Sequence, residues 1–104
     1  QRLFFIEAAD ISYFQADNKI VHLVDKEGNR YVVDHTMEGL EYILDPREFF
    51  RLNRRFIVRI NAIQQVKPYY NNRLKLAVKG SSQPEDMVIS RDRMINHDDH
   101  FMIF

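Results

Sequence analysis

The stretch Phe49–Ile63, FFRLNRRFIVRINAI, gathers Arg51, Arg54, Arg55 and Arg59 into fifteen residues that contain no acid. A guanidinium is planar, permanently charged and able to donate two parallel hydrogen bonds, so the chemistry on offer is recognition of an anion. The apolar residues between the arginines keep a strand period. Phe56, Val58 and Ile60 fall on one face, and Arg55, Ile57 and Arg59 on the other. This pattern predicts a cationic loop running into a strand that packs underneath and offers arginines outward. Glu48, the acid nearest to Arg51 in sequence, is the competing ion-pair partner for that residue. A solvated basic face that binds nothing is the other reading of the same charges.

The remaining polar residues assemble no catalytic or metal-binding pattern. Zero cysteines remove disulfides, thiolate zinc sites and cysteine nucleophiles together. Three glycines cannot build the phosphate-cradling loops of nucleotide-binding motifs. His97-Asp98-Asp99-His100 is the single cluster of ligand types, and it sits in a polar tail at the chain end, where it reads as solvated. Asp10, Asp17, Asp25 and Glu27 fall at expected turns, Ser81-Ser82 has no base at a motif spacing, and His22 lies inside a strand pattern. No metal, no cofactor and no enzymatic activity are expected.

The net charge of zero conceals its distribution. Residues 1–44 hold four Lys/Arg against eight Asp/Glu, residues 45–79 nine against two, and residues 80–104 two against five. An anionic partner would therefore meet the middle third. The length of 104 residues fits one domain, and 45% apolar content supports a core without covalent staples. The apolar runs are far shorter than the ~20 residues of a spanning helix, so no membrane partner is expected, and the default location is the cytoplasm.

To position the arginines, the chain offers short strands and little helix. Strands are expected at Leu3–Glu7, Ile11–Gln15, Ile20–Val24 and Arg30–Val33, with turns at Asp17-Asn18-Lys19 and Glu27-Gly28-Asn29. Thr36 is a plausible N-cap for a short amphipathic helix carrying Met37, Leu40, Ile43 and Leu44, ended by Pro46. Beyond Ile63 a strand Gln65–Tyr69 and a return strand Arg73–Val78 flank an Asn71-Asn72 turn. Leu74, Leu76 and Val78 point inward, and Arg73, Lys75 and Ala77 outward. Lys79–Glu85 reads as a loop, Met87–Ile89 as an edge strand, and Ser90 as a cap for a helix opening at Arg91. The fold class is mostly β: small antiparallel sheets with one or two short helices.

The stretch from Phe49 to Ile63 resembles the signature of the LytTR (LytR/AlgR-type) DNA-binding domain of bacterial two-component response regulators. Phe49, Arg51, Arg54, Phe56, Ile57, Val58 and Ile63 stand where that pattern has them. The opening FIEAADISYFQADN and the closing MVISRDR, with Ser90-Arg91, resemble the family's first strand pair and last reading element. Three positions depart from it: Asn53 replaces a histidine, Arg55 a serine and Arg59 an asparagine. The HDDHFMIF tail departs as well.

The resemblance implies a sequence-specific reader of double-stranded DNA whose loops enter two successive major grooves and the minor groove between them. Base-reading candidates are Asn18 and Lys19 in the first loop, Asn53 and Arg54 in the second, and Arg91 in the third. Phosphate candidates are Arg51, Arg55 and Lys75. It further implies that residues 1–104 are the C-terminal output domain of a longer regulator, with an upstream receiver domain and a sensor kinase as partners. Two copies would sit on repeated half-sites roughly one helical turn apart. A β-rich module for an acidic protein surface is an alternative. So is a single-stranded nucleic acid binder that stacks bases on Phe56, Tyr69 and Tyr70.

Overall fold

The computed structural model describes residues 3–82 and 87–90. After a single 3-10 turn at Ala8–Asp10, the chain forms β1 (Ile11–Asp17), β2 (Ile20–Asp25), β3 (Arg30–Val33), α1 (Met37–Ile43), β4 (Phe49–Arg51) and β5 (Phe56–Arg59). There follow β6 (Ile63–Tyr69), β7 (Arg73–Val78) and β8 (Val88–Ile89). All pairings are antiparallel. One sheet has the order β3-β2-β1-β5-β4, and a smaller one β6-β7-β8.

Alternation along β1 explains the layering. Tyr13 points to a core shared with the small sheet, and Phe14 to a core beneath α1. The first core joins Tyr13, Val24, Phe56 and Val58 to Leu76, Val78, Met87 and Ile89; the second joins Phe14, Val21, Leu23 and Ile57 to Met37 and Leu40. The five-stranded sheet is thus the middle of three layers. Its β5 strand, flanked by β1 and β4 and covered on both sides, is buried at every position.

That burial corrects the expected two-faced strand. Arg59 is only 9% exposed and does not face solvent. Its guanidinium donates to the Ala8 carbonyl (2.6 Å) and to Glu48 Oε1 (2.6 Å), and lies over the Phe49 ring. A second correction concerns Leu3–Glu7, which forms no strand; Leu3, Phe4 and Phe5 are exposed, although Phe4 touches the Tyr31 ring.

Local signals elsewhere match the structure. The Thr36 hydroxyl accepts from the Gly39 amide at 2.9 Å, capping α1. Asn71 and Asn72 both take φ of 60°, the left-handed turn geometry that asparagine tolerates. Arg30–Val33 and Arg73–Val78 are strands with the expected bounds. Gly80, with φ of +81°, lies so close to the β2–β3 turn that an added Cβ would come within 2.5 Å of the Asp25 carbonyl oxygen. Among the described residues no helix is long and apolar enough to cross a membrane.

Candidate nucleic-acid interface

Strand register decides which loops share an end of the molecule. β1 meets β5 with Gln15 opposite Phe56, and the Ala16 amide donates to the Arg55 carbonyl at 2.8 Å. The two-residue turn Asn18-Lys19, which closes on the Asp17–Ile20 pair, therefore emerges beside the β4–β5 turn at 52–55. Asn18 has φ of 58° and is exposed, as is Lys19.

The third chain segment arrives at the same place through β8. The Ser90 amide donates to the Leu52 carbonyl at 2.9 Å, and Asn53 Nδ2 donates to the Val88 carbonyl at 2.7 Å. Residues 17–19, 53–55 and Ser90 thus cluster at one end of the five-stranded sheet. Arg91, the third-loop candidate, and the His97–His100 tail lie outside the described residues.

Within the β4–β5 turn the charged residues divide sharply. Arg54 is exposed at the tip. Arg55 is exposed too, its guanidinium over the Phe56 ring at 5.4 Å. Asn53, read from sequence as a base contact, is half-buried. Besides holding β8, its Oδ1 accepts from the Arg55 amide at 2.8 Å, so its side chain shapes the turn.

Arg51 corrects the expectation of a phosphate contact. It is 8% exposed and pairs with Glu41 (3.1 Å) and Glu38 (3.3 Å) on α1, while Glu48 goes to Arg59. Its remaining donors reach the carbonyls of Asn53 (3.0 Å) and Arg54 (3.1 Å). A guanidinium that is 8% exposed and commits four of its five N–H donors to two carboxylates and two carbonyls is a brace for the turn, turned away from any polyanion. Nothing local pointed to this, because its acids lie ten and thirteen residues upstream.

Lys75 lies on the other sheet, on the outer face of β7, with Nζ 5.6 Å from the Tyr69 ring centre. The three stacking candidates separate as well. Phe56 is 1% exposed and unavailable to a base, Tyr69 is half-buried, and Tyr70 is exposed.

Comparison with known proteins agrees with this architecture. Residues 1–100 match the family described as the LytTr DNA-binding domain. The transcriptional regulatory protein YpdB is 29% identical over 79 residues, both in Escherichia coli O6:H1 strain CFT073 and in strain K12. The match covers 76% of this chain and 32% of the relative, so the chain spans about a third of the length of these curated relatives. A solved LytTr DNA-binding domain from Bacillus cereus superposes with a TM-score of 0.72 at 19% identity, covering 88% of this chain and 81% of that one. That likeness concerns the fold, two antiparallel sheets and a helix. With its matched span running over nearly the whole sequence, this chain belongs to the LytTr DNA-binding domain family.

Proposed function

We propose that this domain reads a specific double-stranded DNA sequence as the output module of a two-component transcriptional regulator. In this reading its turns enter successive major grooves. The observation that carries it is the convergence of the Asn18-Lys19 turn, the Arg54-Arg55 turn and Ser90 at one end of a rigid sheet. A scaffold of this kind spaces short loops along a duplex without needing a recognition helix. Arg54, exposed at the tip with its carbonyl held by Arg51, is assigned to a base edge, and Lys19, with Asn18 beside it, to the neighbouring groove. Arg91 follows Ser90 and is assigned to the third contact. Arg55 and Lys75 are assigned to phosphates, which fix register and carry salt dependence. A receiver domain and sensor kinase would control the full-length regulator, with two copies on repeated half-sites. The chain's own role is binding, without catalysis or cofactor, in the cytoplasm.

The test is site selection from a random duplex library, followed by titration of the selected site. Arg54→Ala is expected to lose about 1–3 kcal/mol of affinity for that site and to relax preference at one base pair. Lys75→Ala is expected to weaken selected and random duplexes alike and to lower the slope of log affinity against log salt by about one. If both variants lose the same affinity on both duplexes, Arg54 is not a reader. A preference for single strands would replace the duplex reading with base stacking.

A further inference from the structure

From Phe49 through Pro84 the sequence contains eight Lys/Arg and no Asp or Glu. The arginine turn uses only the first part of that run. The rest falls on the hairpin β6–β7, where antiparallel register decides what the charges do. Lys67 stands directly opposite Lys75, and Tyr69 opposite Arg73. Residues facing each other across a pair share a face, so Lys67, Tyr69, Arg73 and Lys75 all lie on the outer face of the small sheet. Leu74 and Leu76 turn to the core.

The tyrosine is the hub of this cluster. The Arg73 guanidinium carbon sits 5.4 Å from its ring centre and Lys75 Nζ 5.6 Å, and Tyr70 meets its edge at 5.0 Å. The ring holds two cations in place without neutralising either. Among the described residues no carboxylate pairs with Lys67, Arg73 or Lys75.

This arrangement is unfavourable for the free protein. Like charges directly opposite on neighbouring strands repel, as at Lys67 and Lys75, and Arg73, two residues along the same face, adds to that. Such a face gains from a polyanion. Its position suits one: β8 pairs with β7 at Leu74–Ile89, so Ser90 runs on toward Arg73, while the Ser90 amide is bonded to Leu52 beside the arginine turn. The cationic face therefore abuts the end where the Asn18-Lys19 turn, the β4–β5 turn and Ser90 gather.

We propose that the outer face of the three-stranded sheet, through Lys67, Arg73 and Lys75 arranged about Tyr69, is a second docking surface for the sugar-phosphate backbone of the bound duplex, flanking the bases read by the loops. This rests on the DNA-reading function proposed above and extends it to two residues, Lys67 and Arg73, outside the reading loops. The surface carries affinity and no sequence preference, since phosphates are alike at every step.

Lys67 is the residue to test, because it is exposed and its replacement disturbs no core contact. Three proteins are compared on the selected and on random duplex across a salt series: the unaltered chain, Lys67→Ala and Lys67→Glu. Thermal melting of each is measured without DNA. Lys67→Ala is expected to keep or raise the Tm, lower the salt slope by about one, and weaken both duplexes by about fivefold to tenfold near 0.1 M salt. Lys67→Glu is expected to raise the Tm further by pairing with Lys75, while weakening DNA binding more. Unchanged salt slopes in both variants, with the unaltered chain still preferring its selected site, would overturn this surface and leave the reading loops standing. An unaltered chain that shows no preference for the selected duplex over random DNA would instead overturn the proposed reading, whatever Lys67 does.

Discussion

Replacing Arg51 by Met is expected to cost about 3 kcal/mol of stability and to remove most binding to the selected site at temperatures where the variant is still folded. The methionine retains the buried stem but not the donors. Two ion pairs and two carbonyl contacts are lost together, and their magnitudes separate. Glu38 is 78% exposed and Glu41 38% exposed, so each carboxylate rehydrates when its partner leaves, and each pair is worth up to about 1 kcal/mol. The Asn53 carbonyl, on a half-buried residue, loses a charged donor that is itself buried, and an unmet acceptor costs about 1–3 kcal/mol. The Arg54 carbonyl at the exposed tip rehydrates. The Asn53 carbonyl contact therefore dominates, and the effect is directed at the turn. Glu38→Gln, which removes only an exposed partner, is expected to cost well under about 1 kcal/mol. Urea unfolding of the two variants checks the difference. Equal losses would mean that the helix contact, and not support of the turn, is what Arg51 provides.

The case of Arg51 marks where sequence reading stopped. Features set by neighbours in the chain were legible: the Thr36 cap, the Asn71-Asn72 turn, and the inward Leu74, Leu76 and Val78 of β7. Each follows from a period or a turn preference within a few residues. Arg51 and Arg59 were misread as outward cations because their partners come from elsewhere. Glu38 and Glu41 stand one helix away, and the Ala8 carbonyl fifty-one residues upstream. Charge counting treats every arginine as equal, and only the layer order of the sheet reveals which are spent inside. Asn53 shows the same limit, since its bond to Val88 spans thirty-five residues. Leu3–Glu7 failed for a different reason: apolar composition can suit a strand, yet strand formation needs a neighbour to supply hydrogen bonds. The gathering of the first two turns with Ser90 at one end was legible only through the family resemblance. No spacing within the chain implies that Ser90 reaches Leu52.

Phe56→Ala is the variant expected to cost most, about 4 kcal/mol, and its consequences separate packing from recognition. Phe56 is 1% exposed at the start of β5, 5.9 Å ring to ring from Tyr13, with its carbonyl accepting from the Leu52 amide at 2.9 Å. Truncation there leaves a cavity between the two sheets, and losses of about 3–5 kcal/mol are usual for phenylalanine in such sites. The position also lies under Arg55, so the cavity opens directly beneath the arginine turn. If Phe56 served as a stacking platform, its removal would leave stability nearly intact and abolish binding by the folded protein. A core role predicts the reverse: urea unfolding shows the large loss, while the fraction that remains folded keeps the selected site's base preference. Arg54→Ala is expected to behave oppositely, with stability near that of the unaltered chain and preference relaxed at one base pair. Measuring unfolding and base preference on both variants places the two residues on separate axes. A Phe56→Ala protein that is fully stable yet inert toward duplex DNA would show that the aromatic, and not the arginine at the tip, touches the bases.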